Sequence, residues 1–142
     1  ASIAKLRKSL YGLVQAPYEW YKLQDSVLKS FVPSNSSARF IANAAEPCMY
    51  DLVDPENGIE IHALVYVDDY CVIHNNGPAY GELLAHMNSH FTVENKGSPQ
   101  NLLQLNISMH GSEESADRSI TLSCKKHIDK MVQRFGLTEC GK

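Results

Sequence analysis

The stretch HALVYVDDYCVIHNN, His62 to Asn76, sets two adjacent carboxylates, Asp68 and Asp69, inside an otherwise apolar run. Just upstream, Ile59, Ile61, Ala63, Val65 and Val67 alternate with Glu60 and His62 before the run turns apolar on both faces, the pattern of a strand entering the middle of a sheet. If Ile59 to Val67 and Tyr70 to His74 are antiparallel neighbours, Asp68 and Asp69 are the two residues at the tip of a tight hairpin. Aspartate is an ordinary turn residue, so a solvated turn is one reading. A cation site is the other. Asn-Gly or Asp-Gly would make a better type I′ turn and neither is used, and two like charges on a rigid tip repel unless a cation neutralises them. Mg²⁺ takes a few hard oxygen ligands and keeps water and substrate phosphates, so such a tip suits a metal that meets a nucleotide.

Working outward, three helices follow from apolar spacing. From Pro17, a residue suited to a first turn, Trp20, Leu23, Val27, Leu28 and Phe31 recur at helical period, with Glu19 near the positive end of the dipole. Tyr80, Leu83, Leu84, Met87 and Phe91 form a second stripe. Ile128, Met131, Val132 and Phe135 form a third, with Ser123 as a candidate cap and Gly136 as the stop. Further strands are expected over Pro47 to Val53, Leu102 to His110 and Arg118 to Cys124. Asp54 to Gly58 and His110 to Ser119 read as hairpin loops, and Val32 to Phe40 as an exposed connector. The order is helix, three strands, helix, two strands, helix. It predicts an α+β fold, an antiparallel sheet with helices packed on one face, in a single domain over 1–142.

Composition narrows the function classes. The 142 residues are 44% hydrophobic and 20% charged with a net charge of −3, so the chain should fold around a core and carries no bulk charge that marks a nucleic-acid binder. Its basic cluster is Lys5, Arg7 and Lys8. The four cysteines, Cys48, Cys71, Cys124 and Cys140, form no CxxC pair, and reduced thiols in an intracellular protein are the expectation. No apolar run is long enough to span a bilayer and no signal-peptide pattern appears. Opening on Ala1 directly into patterned sequence, the chain reads as a piece of something longer.

Tyr66 to Asp69, YVDD between apolar flanks, resembles the reverse-transcriptase palm signature in its copia-type retrotransposon form. KLRKSLYGLVQAPYEWY (Lys5 to Tyr21) is similar to the segment that precedes it in that family, and EPCMYDL (Glu46 to Leu52) to the short strand between them. Downstream, SITLSCKKHIDKMVQRFGL (Ser119 to Leu137) is similar to the family's strand and helix after the palm hairpin. These stretches lie in the family's order over nearly the whole chain. The resemblance implies an RNA-directed DNA polymerase palm, in which three carboxylates hold two Mg²⁺ ions, Mn²⁺ being the alternative ion. It casts Asp68 as the firmer metal ligand, Asp69 as the second, and Tyr66 as a neighbour of the primer terminus. Tyr11, Gly12 and Gln15 fall in the segment that floors the nucleotide and template pocket, with Gly12 allowing close backbone approach. Lys5, Arg7 and Lys8 become candidates for nucleic-acid backbone contact. Partners would be an RNA/DNA primer-template and deoxynucleoside triphosphates, with no membrane, in a cytoplasmic particle or the nucleus.

The same resemblance puts the third carboxylate on a strand before Lys5 and expects fingers, thumb, connection and RNase H regions beyond these residues, so negligible polymerisation by this chain alone is expected. Val14 and Tyr18 stand where the family usually carries Lys and Arg, and Gln104 stands in place of a glycine. Those departures suit a second reading, a non-catalytic remnant acting as a binding or scaffold module. Apolar surface left without its neighbouring regions predicts self-association. Other constellations are weaker. His86 and His90, four apart, and Cys124 and His127, three apart, have zinc-compatible spacing but no further ligand pattern. Neither a Gly-x-Ser-x-Gly elbow nor a Gly-rich phosphate loop occurs. Trp20 reads as a core residue rather than a base-stacking platform.

Overall fold

Helix α1 (Ala16–Ser30) starts where local chemistry directs it: Pro17 occupies the first turn, where a missing N–H costs nothing, and Glu19 lies near the dipole's positive end. It ends where Val32 precedes Pro33, which disfavours helical backbone, and Phe31 is already extended at φ −68°, ψ 135°. This is a computed structural model, and it describes residues 10, 12–111 and 117–137. Lys5, Arg7, Lys8, Tyr11, Cys140 and the middle of the expected 110–119 loop lie outside the described residues. The stripe on α1 is not quite the expected one. Val27, Leu28 and Phe31 are buried, but Leu23 is 44% exposed and the polar Gln24 is only 3% exposed.

Four strands follow α1 or flank the next helix: β1 (Ile41–Ala42), β2 (Met49–Asp54), β3 (Ile59–Tyr66) and β4 (Asp69–His74). They form an antiparallel sheet in the order β1-β2-β3-β4. Burial alternates along β3, with Ile59, Ile61, Ala63 and Val65 inward and Glu60 and Tyr66 outward, as the pleat requires. Helix α2 (Gly77–Asn88) is capped by Asn76, whose side chain accepts from the Ala79 N–H at 3.0 Å. Leu28 and Phe31 of the α1 end, Leu52, Ile61, and Leu83 and Met87 of α2 belong to one buried cluster, so both helices cover the same sheet face. Full burial of each large side chain here contributes about 1.5–3 kcal/mol. At the β2–β3 turn, the buried Asp54 accepts from Ser36 and from Asn57, and these bonds, Ser36 first, hold its carboxyl below the usual range.

The chain divides into two compact units, Ala1–Glu94 and Asn95–Lys142. The second has its own antiparallel sheet, β5 (Asn101–Leu102), β6 (Leu105–His110) and β7 (Ser119–Ser123) in that order, followed by α3 (Lys125–Arg134). The expected strand from Leu102 to His110 is therefore broken. Leu102 pairs with Leu105, and Leu103 and Gln104 form the turn with φ of 49° and 69°. Helix α3 has Cys124 at its N-cap position, and the expected Ser123 still serves by accepting from the Lys125 N–H at 3.2 Å. It stops before Gly136, whose φ of 64° suits a residue without Cβ. The α+β class with antiparallel strands stands, with the strands shared between two sheets. Among the described residues no helix is long and apolar enough to cross a membrane.

Candidate active site

Two adjacent carboxylates reach the hairpin tip in a different register from the expected one. Tyr66 pairs with Asp69, so the two loop residues are Val67 and Asp68, and Asp69 opens β4. The pair is thus split between turn and strand instead of sharing the tip. Val67 has φ 55° and Asp68 has no positive φ, which is the pattern of a type II′ turn, where glycine normally holds the first position. A β-branched residue in that conformation is an outlier, costing about 1–3 kcal/mol, and it persists only if the surroundings fix it. Tyr70 and Val72 pack against the core, which puts Asp69 on the opposite face of the sheet. Tyr66, directly across from Asp69, shares that open face. Asp68 and Asp69 are both exposed, and neither side chain makes a hydrogen bond or ion pair among the described residues. Their acceptor capacity is free for a cation.

What fixes the turn comes from α1. The Trp20 indole N–H and the Gln24 side-chain amide each donate to the Val67 carbonyl oxygen at 2.7 Å, using both of its lone pairs. Phe91 stands edge-on to Trp20 with ring centroids 5.3 Å apart and stacks on Tyr70 at 6.5 Å. The Tyr70 hydroxyl is buried without a hydrogen-bond partner of normal geometry, and burial pushes its pKa up to about 12, opposed by the nearby Gln24 amide. A small apolar cavity of ≈ 170 Å³ lies beside the turn, lined by Pro17, Trp20, Tyr50 and Val67 among others. Gln24 is the residue that periodicity missed. Its trace in the sequence is a lone amide one turn after Trp20, on a face otherwise continued by Val27 and Leu28.

The other candidates are placed around the start of α1. Gln15 is its N-cap residue and is exposed, with no side-chain capping bond. Gly12 is exposed with φ 93°, a conformation that itself calls for glycine, and nothing lies within 4 Å of where a Cβ would stand. Pro17 and Val67 line the same cavity, so the beginning of this helix and the hairpin tip are neighbours. Tyr11, Lys5, Arg7 and Lys8 are not among the described residues.

A family model described as reverse transcriptase (RNA-dependent DNA polymerase) matches residues 1–142. The chain belongs to the reverse transcriptase family. It is 31% identical over 135 residues to the retrovirus-related Pol polyprotein from transposon TNT 1-94 of Nicotiana tabacum, which supports its assignment to the copia-type retrotransposon enzymes. That match covers 95% of this chain and 9% of the tobacco polyprotein. No solved structure matches it significantly.

Elsewhere in this reverse transcriptase chain, one polar network stands on the open face of the first sheet. His62, directly opposite Asp51, bonds to its carboxylate through Nδ1 at 2.6 Å and to Glu60 through Nε2 at 2.9 Å. Asp51, then Glu60, raises the His62 pKa, and the His62 bond lowers that of Asp51. His86 is occupied structurally, contacting the Val27 carbonyl at 3.0 Å and the Ser30 hydroxyl at 3.1 Å, with His90 packed beside it. Cys48, Cys71 and Cys124 are free thiols. Among the described residues no group of three or more His, Cys, Asp or Glu side chains could hold a metal ion.

Proposed function

We propose that Asp68 and Asp69 are two of the carboxylates with which a longer reverse transcriptase binds Mg²⁺, with Mn²⁺ as the alternative, for nucleotidyl transfer onto a primer. The observation that carries this reading is a pair of exposed, unpartnered carboxylates at a turn whose backbone is tied down from behind. The residues fit such an ion in part: hard oxygen donors are free, but two carboxylates bind it less firmly than three. When bound, Mg²⁺ supplies the charge that makes a primer hydroxyl a better nucleophile and offsets charge on the leaving phosphate. Asp68, at the tip, is the firmer ligand, and Asp69 contributes from the open face beside Tyr66. Tyr66 then flanks the primer terminus. Tyr11, Gly12 and Gln15, ahead of the α1 body, floor the nucleotide and template pocket, and Lys5, Arg7 and Lys8 meet phosphates of an RNA/DNA primer-template. In this reading the first sheet is palm-like, with α1 and α2 as its backing, and deoxynucleoside triphosphates are the substrate.

The chain by itself is proposed to be inactive. Titration with Mn²⁺ should broaden the Asp68 and Asp69 resonances in the unaltered chain and not in Asp68→Asn, while primer extension by either stays at background. Absence of broadening sinks the metal assignment, and extension that disappears in Asp68→Asn sinks the inactivity. Val14, 97% exposed where the resemblance expects a positive charge, favours the second reading of a non-catalytic binding or scaffold module. That reading gains if no divalent ion binds. Exposed Ile120, Leu122, Ile128 and Phe135 support self-association of the chain, which concentration-dependent light scattering tests.

A further inference from the structure

We propose that Trp20 and Gln24 are positioning residues that set the orientation of Asp68 by holding the carbonyl of Val67. The inference rests on the metal-binding reading of Asp68 and adds to it the pair of side chains that aims the ligand. Val67 sits at φ 55°, a region that a β-branched residue leaves unless something retains it. Both donors converge on its carbonyl oxygen at 2.7 Å. A peptide unit is planar, so fixing the Val67 oxygen also fixes the Asp68 nitrogen and Cα on the other side of the same plane. The Asp68 carboxylate then has only that residue's φ and its side-chain torsions left to vary.

The donors are themselves immobilised. Gln24 is almost fully buried, where an amide deprived of its acceptor would carry a desolvation penalty, so its bond to Val67 is not readily exchanged for water. Trp20 is held against Phe91. One turn further on, Val27 and Leu28 anchor α1 in the core. The helix whose start carries Gln15 and Pro17 thereby dictates where the metal-facing residue stands. Pocket floor and metal ligand are registered to one rigid element.

The test compares the unaltered chain with a double variant, Trp20→Phe with Gln24→Met, which keeps volume and removes both donors. Two quantities are read: the Val67 backbone φ from its amide-to-Hα coupling, and Mn²⁺ affinity from relaxation of the Asp68 and Asp69 resonances. The expected result is loss of the left-handed coupling together with an affinity loss of about 10- to 100-fold, the usual effect of removing a residue that orients a metal ligand. Adding Val67→Gly should restore much of the affinity, because glycine takes positive φ unaided. A residue needed only for the core would show no such rescue. Retention by the double variant of either the Val67 coupling or the Mn²⁺ affinity overturns the proposal. Should the double variant not fold, the unaltered chain decides: slow exchange of the Trp20 indole proton supports the clamp, and exchange as fast as in free tryptophan overturns it. If the unaltered chain binds no Mn²⁺, the metal reading fails, and the coupling alone decides whether the clamp fixes the backbone at Asp68.

Discussion

Among the described residues, two hairpin turns place non-glycine residues at positive φ, and they are treated differently. At the β3–β4 turn, Val67 is met by two side-chain donors from α1. At the β5–β6 turn, Leu103 and Gln104 adopt positive φ with no side-chain hydrogen bond to either among the described residues. Strain that is retained by tertiary contacts marks a place where the conformation is wanted, whereas strain without support is a cost left uncorrected. The surrounding units differ in the same sense. The first buries Leu28, Leu52, Ile61, Leu83 and Met87 almost completely, and no described residue of the second is buried.

The largest effect that could break this contrast is in the cores. Ile61→Ala should destabilise the chain by about 2–5 kcal/mol in urea unfolding, because the cavity adds to the lost transfer free energy. Leu122→Ala, at a position 61% exposed, should change stability by no more than about 0.5 kcal/mol. Comparable losses at the two sites would mean that the second unit carries as much packing as the first.

Next in size is Gln104→Gly. Relief of a left-handed conformation gains about 1–2 kcal/mol, and the extra freedom of glycine in the unfolded chain returns about 0.5–1, so a net stabilisation under about 1.5 kcal/mol is expected. Amide exchange at Leu102 and Leu105 should slow accordingly. Faster exchange would show that Gln104 is supported after all.

A pH series sharpens the comparison within the first unit. The His62 pKa is raised in the folded chain, so its contribution is complete below the unfolded value of about 6.5 and is lost as pH rises through the folded value. Asp51 is shifted down, so its contribution is present above about 3.9 and is lost as pH falls through its folded value. Amide protection along β2 and β3 should therefore be greatest between about pH 4 and 6.5 and decline on both sides, more gently in His62→Gln. Smallest of all, Lys125→Ala removes an exposed pair with Asp129 at 2.8 Å, and helicity of α3 should fall by no more than about 0.5 kcal/mol of stabilisation.

Much of the first unit was legible locally. Ile59, Ile61, Ala63 and Val65 announced β3 by alternation, and Asn76, a side-chain cap beside Gly77 and Pro78, opens α2 much where its stripe begins. The bend falls one residue earlier than local preference puts it, because a β-branched Val at positive φ contradicts that preference, which places the two aspartates there instead. The break at Leu103 and Gln104 escaped for the same reason: nothing in that dipeptide signals a turn when glycine is absent. Leu23 and Gln24 exchanged their expected exposures because burial on α1 follows what Gln24 can bond to, not polarity alone.

The sequence by itself determined the three helices and the longer strands, the acidic pair beside a bend, and the family, since each of these is written in neighbouring residues or in motifs kept in order along the chain. Tertiary structure decided which residue occupies the bend and what holds it there. The donors of that hold lie 43 and 47 residues away from Val67, a separation over which no periodicity extends and only packing of α1 against the sheet can act.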